Sequence, residues 1–150
     1  MSRRRLLRVA LAVVVSAATV TLSGCADARN DLGTNVSPCF VTLPVAEDAL
    51  HGAGRFAGVI MVKAAALDRR PDLIGSERLA ERAGEPVTTV CVVAYHGLIA
   101  VDRVSRPIGP PPPGGVGRYA LVVVSLPANH LLGTVVTNRL PFRFGHTHLG

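Results

Sequence analysis

Residues 87–95, Val-Thr-Thr-Val-Cys-Val-Val-Ala-Tyr, decide the fold of this chain. The inner part of this stretch is apolar at every position and rich in β-branched residues, which is typical of a strand covered on both faces. A similar stretch, Tyr-Ala-Leu-Val-Val-Val, begins at Tyr119. It lies within a predicted strand over residues 117–126, and the same pattern predicts further strands over residues 39–43, 56–66, 98–104 and 131–137.

Two helices are predicted between these strands. Pro44 suits the first turn of a helix that ends near Gly52, and a second helix is expected over residues 71–83. The pair His96-Gly97 predicts a turn that joins residues 87–95 to the next strand as a hairpin. Short links of this kind favour an α+β domain, a mainly antiparallel sheet of about five strands with one or two helices packed on one face.

The first 25 residues indicate export from the cytoplasm. Residues 2–8 carry four arginines, an apolar run follows over residues 9–22, and small residues come next, which is the pattern of a secretory signal peptide. The segment ends in Leu22-Ser23-Gly24-Cys25, which resembles the lipobox of bacterial lipoprotein precursors. The arginine- and alanine-rich composition is similar to that of actinobacterial precursors of this kind.

This resemblance implies a lipid anchor. In the family, a diacylglycerol is attached to the sulfur of the lipobox cysteine, here Cys25, and the chain is cut before it. Residues 1–24 would be a removed signal peptide, residues 25–37 the lipidated cysteine and a tether, and residues 38–150 a single domain. Acyl chains such as palmitate would hold the protein at the outer face of the cell membrane, because each buried methylene contributes about 0.8 kcal/mol.

Two other interpretations of the N-terminus stay open. They are a membrane-spanning N-terminal helix and a plain cleaved signal peptide. The apolar run is 14 residues long and contains Ser16, Thr19 and Thr21, whereas a membrane-spanning helix needs roughly 20 apolar residues. The export route is open as well, because residues 2–8 resemble the twin-arginine signal and also suit the general secretory route.

The basic character of the chain lies largely in the signal segment. The full sequence has 16 basic and 10 acidic residues and a formal net charge of +6, and four of its arginines precede Cys25. The remaining chain has a net charge of +2 and no cluster of Lys and Arg, so we predict no nucleic-acid partner. Aromatic residues make up 4% of the chain and tryptophan is absent, which argues against a stacking platform for sugars or bases.

The chain has three cysteines. With Cys25 assigned to lipid by the resemblance, Cys39 and Cys91 remain, and in an oxidising compartment we expect a disulfide between them. This bridge would close a loop of about 50 residues and contribute roughly 4 kcal/mol to stability. The alternative is a pair of buried free thiols, since a two-cysteine metal site would lack nearby ligands.

Few other residues suggest chemistry. His146 and His148 stand two apart, so on a strand both would face one side and could bind a metal ion. Because no acidic residue lies in the tail to orient them, we interpret them as surface histidines and predict no metal site. A hydrolase triad of Ser125, His96 and Asp102 can be assembled on paper, but no Gly-x-Ser-x-Gly elbow surrounds the serine.

Two loop segments complete the set of candidates. His51-Gly52-Ala53-Gly54 lacks the lysine and the strand–glycine–helix order of a phosphate-binding loop. The four prolines at 110–113 predict a polyproline II segment with exposed carbonyls. They form either a stiff loop between two strands or a docking element for an aromatic groove of another envelope protein.

The sequence therefore predicts a cell-envelope lipoprotein on the outer face of the cell membrane. Its domain is expected to bind an envelope protein, a lipid or a small ligand, without catalysis and without a cofactor. The alternative is a metal-dependent or serine-type envelope hydrolase. A concave pocket that joins His and Asp side chains would favour the hydrolase, whereas an apolar groove without titratable groups would favour binding.

Overall fold

The computed structural model describes residues 37–144. Its centre is an antiparallel sheet with the strand order β1-β2-β3-β4, formed by β1 (Arg55–Lys63), β2 (Thr89–Ala100), β3 (Val116–Leu126) and β4 (Leu131–Thr137). The described range also contains four short helices, namely α1 (Leu43–Ala49), α2 (Ala64–Leu67), α3 (Pro71–Ile74) and α4 (Leu79–Ala83). The predicted α+β class is confirmed. None of the helices in this range is both long and apolar enough to cross a membrane.

The sheet is covered on both faces because its central strands are apolar on both. In β2, Val93 and Tyr95 face the core that α1 completes, whereas Val90 and Val92 face the core that α2, α3 and α4 complete. The prediction that the helices lie on one face is therefore wrong. Side chains alternate between the faces of a strand, so an unbroken apolar run supplies both cores at once.

The predicted number of about five strands is also too high, since the sheet has four. β2 does not turn back at His96-Gly97 but continues to Ala100, with a bulge between His96 and Ile99. Gly97 instead allows the backbone to pass close to Gly54, because a Cβ added at Gly97 would lie 3.0 Å from the Cα of Gly54. The residues that follow β2 form a short 3-10 helix, Val101–Arg103.

The predicted strand over residues 39–43 is helical. A 3-10 helix, Pro38–Thr42, leads directly into α1. The hydroxyl of Thr42 donates a hydrogen bond of 2.7 Å to the carbonyl of Cys39, and the hydroxyl of Ser37 accepts one of 3.3 Å from the N–H of Cys39. These local bonds satisfy the backbone without a neighbouring strand.

The predicted second helix is interrupted. α3 ends at Gly75, whose φ is +66°, and α4 begins at Leu79, whose N–H donates to the carboxylate of Asp68 at 3.1 Å. The left-handed backbone at the glycine stops the first helix. The bond from Leu79 satisfies a backbone N–H at the start of the second helix.

The disulfide between Cys39 and Cys91 is present, with a Cα–Cα distance of 5.4 Å. Both cysteines are fully buried. Since Cys91 lies on the same face of β2 as Val93 and Tyr95, the bridge ties the 3-10 helix before α1 to the middle of the sheet. This part of the sequence prediction is confirmed.

The loop between β2 and β3 covers the outer edge of β4. The N–H of Ile108 donates to the carbonyl of Thr134, and the N–H of Thr134 donates to the carbonyl of Arg106, both at 2.9 Å. Beyond this bridge, Gly109 packs against the backbone of Leu73 in α3 and Pro112 is buried, while Pro110, Pro111 and Pro113 are exposed. The proline segment is thus tied to β4 and α3 just before its first proline, and Pro112 is its buried residue.

Candidate functional site: a cleft at Tyr95

A small cleft lies where the chain passes from α1 to β1. The connecting residues turn tightly, with positive φ angles of 51° at His51, 76° at Gly52 and 84° at Gly54. Because the two glycines carry no side chains, this turn leaves open space beside the end of α1. The cleft has a volume of about 230 Å³ and is lined by Glu47, Gly52, Ala53, Gly54, Phe56 and Tyr95.

Aromatic rings form the apolar wall of the cleft. Phe56 of β1 stands opposite Tyr95 of β2 in the strand register, and their rings meet edge to face with centroids 6.2 Å apart. Phe40 lies behind Phe56 at 6.5 Å between centroids. Edge-to-face packing of this kind fixes the orientation of the rings and makes the wall rigid.

Tyr95 is the unusual residue of the site. The side chain is 4% exposed, and its hydroxyl has no hydrogen-bond partner among the described residues. Burial, and to a smaller extent the nearby Glu47 carboxylate, raises the pKa of Tyr95 to about 12. The hydroxyl is therefore neutral at physiological pH and can both donate and accept a hydrogen bond. Leaving such a group unpaired costs about 1–3 kcal/mol.

Glu47 makes the cleft electrically negative. It is exposed on α1, and no basic side chain is among the residues that line the cleft. Arg55, the neighbour of Phe56, lines a separate cleft with His96 and Gly97. Successive side chains of a strand point to opposite faces, so Arg55 and Phe56 project to opposite sides of β1.

The structure does not bring Ser125, His96 and Asp102 together as a triad. His96 pairs with Tyr119 across β2 and β3, while Ser125 pairs with Val90. The serine and the histidine are thus six positions apart along the strands, roughly 20 Å. Ser125 is 1% exposed, and its hydroxyl bonds to the backbone of His130. The third residue, Asp102, lies in the short helix after β2.

A different serine and histidine do meet. The hydroxyl of Ser105 lies 3.4 Å from Nε2 of His51 at the surface. No carboxylate among the described residues accepts a hydrogen bond from the other ring nitrogen of His51. The N–H of Ser105 already donates a hydrogen bond to the carbonyl of Ala49. The pair therefore lacks the orienting acid and the free backbone donors on which nucleophilic catalysis depends.

Three other predicted site residues lie outside the described residues, namely Cys25, His146 and His148. Within residues 37–144, no group of three or more His, Cys, Asp or Glu side chains is placed to hold a metal ion. The interpretation of the histidine pair and the lipidation of Cys25 thus stay predictions.

The proline loop lines two shallow grooves. On one side, the four prolines and residues 135–139 of β4 and its continuation enclose about 270 Å³, with Asp72 at the rim. On the other side, Pro107 and Pro111 face residues 100–103 and 114–116 across a wider space of about 730 Å³. Neither groove contains a buried polar side chain without a partner among the described residues, so neither has the unmet hydrogen bond found at Tyr95.

The sequence interpretation missed Tyr95, Phe56 and Glu47 as a site. The sequence signal for this site is Tyr95 at the end of the apolar run over residues 87–95, because a buried tyrosine needs a hydrogen-bond partner for its hydroxyl. The glycines at 52 and 54 do not match a phosphate-binding loop, and in the structure they line this cleft. No family model, curated protein or solved structure matches this chain.

Proposed function

We propose that this chain is a lipoprotein of the bacterial cell envelope, anchored through Cys25 at the outer face of the cell membrane, and that its domain is a non-catalytic binding module. The cleft at Tyr95 is its binding site. The observation that supports the binding role is the open cleft of about 230 Å³, whose lining combines the aromatic residues Phe56 and Tyr95 with the carboxylate-bearing Glu47.

The cysteines support the anchor. The chain has three, and Cys39 and Cys91 are joined to each other. Disulfides persist in oxidising compartments, which agrees with export. The remaining cysteine is Cys25, at the end of Leu22-Ser23-Gly24-Cys25, where lipobox precursors carry their lipid.

The size of the cleft limits what it binds. A volume of about 230 Å³ is below the roughly 300–1,000 Å³ of sites that enclose a whole small molecule. The cleft therefore holds one functional group of a larger envelope component or a very small solute. The partner classes expected from the sequence, an envelope protein, a lipid or a small ligand, all have such groups.

Cell fractionation tests the anchor. We expect Cys25→Ser to abolish labelling by radioactive palmitate and to remove the protein from the membrane fraction. Asn30→Gln, further along the predicted tether, is the control and should keep both label and location. A Cys25→Ser protein that is still labelled, cleaved and bound to membranes would contradict the anchor.

Filling the cleft tests the binding site. Ala53 lines the cleft, so Ala53→Trp should block it, whereas Ala65→Trp on the exposed side of α2 should not. Membranes would be solubilised with a nonionic detergent, and the components that co-purify with each lipidated variant would be identified. We expect at least one component to be lost with Ala53→Trp and kept with Ala65→Trp. Retention of every component by a folded Ala53→Trp protein would exclude this cleft as the binding site.

A further inference from the structure

We infer that the outer edge of β1 is a docking site for an extended, acidic segment of another protein, which adds to the four-stranded sheet as a further strand. This surface goes beyond the proposed binding role of the Tyr95 cleft, whose lining includes Phe56 as its one residue from β1. Three properties of β1 support the inference: its free backbone groups, its exposed side chains and its charges.

One edge of the sheet is covered and the other is open. Along β4, the loop between β2 and β3 bonds to Thr134 through the backbone of Arg106 and Ile108. Along β1, no further strand pairs with the outer edge within residues 37–144. An edge strand presents a row of unpaired N–H and C=O groups, which is a template for another extended chain. β1 is therefore the edge at which a strand can be added.

The backbone of β1 offers hydrogen bonds at Val59 and Met61. The N–H of Ala64, the residue after β1, donates to the carbonyl of Thr88 at 3.0 Å, and the pairing with β2 keeps this register back to Gly58. Bonded and non-bonded positions alternate along an antiparallel strand. Alternate residues counted back from Ala64 therefore bond β2, whereas Val59 and Met61 direct their N–H and C=O groups outward.

The side chains at this edge suit an added strand with apolar residues at alternate positions. Met61 is 53% exposed, and Val59, on the same face of β1, is half-buried. A methionine side chain adapts its shape to different apolar neighbours. An added strand would cover Met61 with its own apolar side chains while its backbone bonds the outward groups.

The charges of β1 select an acidic partner. Arg55 begins the strand and Lys63 ends it, and both side chains are exposed. β1 contains no acidic residue, and neither cation forms a salt bridge with any residue in the described range. Opposite charges on neighbouring strands attract each other. A segment with acidic residues near both of its ends therefore matches β1 along its whole length.

A second copy of this chain does not match in this way. Antiparallel pairing of two β1 strands would bring Arg55 of one copy beside Lys63 of the other, and parallel pairing would align identical cations. Like charges on neighbouring strands destabilise the pairing. The C-terminal residues 145–150, Gly-His-Thr-His-Leu-Gly, contain no acidic side chain either. The charge pattern thus favours a different protein as the partner.

The experiment is a fluorescence anisotropy titration of the full mature protein in a nonionic detergent. The probe is a labelled peptide as long as β1, Asp-Glu-Thr-Val-Thr-Val-Thr-Glu-Asp, and the control peptide has lysine at its four acidic positions. We expect saturable binding of the acidic peptide, at least about tenfold tighter than that of the basic peptide. Equal binding of the two peptides would overturn the inference. Absence of binding would do so as well, since it would mean that the edge is closed or already occupied.

Two substitutions at one position separate the backbone from the side chain. Met61→Pro removes the outward N–H and leaves the bonds to β2 in place, because proline is tolerated where the N–H of an edge strand faces solvent. Met61→Thr keeps the N–H and removes the same apolar side chain. We expect Met61→Pro to weaken binding of the acidic peptide at least about tenfold and Met61→Thr less than about threefold. Equal weakening in two folded variants, checked by thermal melts, would overturn strand addition.

Charge variants locate the peptide even if Met61→Pro does not fold. Arg55→Gln and Lys63→Gln should each weaken the acidic peptide about threefold. Arg78→Gln is the control, because this exposed arginine precedes α4, which packs against β4 near the opposite edge. An equal effect of Arg78→Gln would show a diffuse charge attraction and overturn the site. Analytical ultracentrifugation should find a monomer, and a dimer that Lys63→Gln tightens would assign the edge to a second copy instead.

Discussion

At the scale of single residues, Tyr95 connects the folding pattern to the proposed site. It stands in β2 after an apolar run, and its ring completes the core on the α1 face. Its hydroxyl is buried as well and has no hydrogen-bond partner within residues 37–144. Ionisation would place a negative charge in an apolar setting near Glu47, so the folded protein holds this proton to a higher pH than an exposed tyrosine does.

We predict that a spectrophotometric titration shows this directly. The chain has two tyrosines and no tryptophan, so absorbance at alkaline pH reports phenolate alone. One tyrosine should ionise near pH 12, against an ordinary value of 10.0. This phase should vanish in Tyr95→Phe and persist in Tyr119→Phe. Complete ionisation of both tyrosines by pH 11, with the protein still folded, would contradict the burial of this hydroxyl.

The same shift predicts a loss of stability at high pH. The pKa is higher in the folded state than the ordinary value of 10.0, so the folded protein binds more protons between about pH 10 and 12. The contribution of Tyr95 is therefore complete below pH 10 and is lost as the pH rises towards 12. Urea unfolding of wild type and Tyr95→Phe should show the wild type losing more stability over this range. Parallel pH profiles would count against the shift.

The disulfide gives another prediction at this scale. Cys39 and Cys91 are fully buried and joined across a sequence separation of 52 residues. Replacing both by alanine should lower the free energy of unfolding by about 2–5 kcal/mol without changing the fold class. Urea unfolding with and without reducing agent measures this. The reductant should destabilise the wild type and leave the double variant unaffected, and an unchanged midpoint for the reduced wild type would contradict a structural role.

A further residue-scale prediction concerns the histidine pair. We expect His146→Ala combined with His148→Ala to leave folding and membrane co-purification unchanged. Metal analysis of the purified protein before and after the double substitution is the measurement. Stoichiometric zinc in the wild type that is lost in the double variant would instead favour the metal-dependent hydrolase.

At the scale of elements, the sequence pattern predicted what depends on local periodicity and missed what depends on distant contacts. The strand over residues 131–137 matches β4, and the strands over 56–66 and 117–126 match β1 and β3 within a few residues. The turn expected at His96-Gly97 is absent from the structure, where Gly97 instead packs closely against Gly54. This contact joins residues far apart in the sequence, so local sequence patterns do not reveal it. The cleft was missed for the same reason, since Glu47, Phe56 and Tyr95 come from three different elements.

The packing of the proline loop on α3 gives a prediction at this scale. A Cβ at Gly109 would overlap the carbonyl oxygen of Leu73, and the φ of this glycine is +77°. Gly109→Ala should therefore lower the free energy of unfolding by about 2–5 kcal/mol. Gly84→Ala is the matched control, because Gly84 has a φ of +70° with no atom within 4 Å, and it should cost only about 1–2 kcal/mol. Equal losses would mean that the loop does not pack tightly on α3.

At the scale of the whole molecule, two cores on one sheet produce a rigid frame with a cleft at its edge. The disulfide joins the 3-10 helix before α1 to β2, and Phe56 and Tyr95 pair across β1 and β2. The cleft therefore sits between elements that are held in place by a covalent bond and by strand pairing. Such a frame suits recognition of one group without rearrangement, which is what the proposed binding module at the membrane surface requires.

The most direct test of the central claim is the mass of the mature N-terminus. Protein purified from membranes of a bacterium that processes lipoproteins would be digested and its N-terminal peptide analysed by mass spectrometry. We predict a chain that begins at Cys25, with a thioether-linked diacylglycerol on that residue. A mature chain that begins elsewhere, or that carries an unmodified Cys25, would contradict the account.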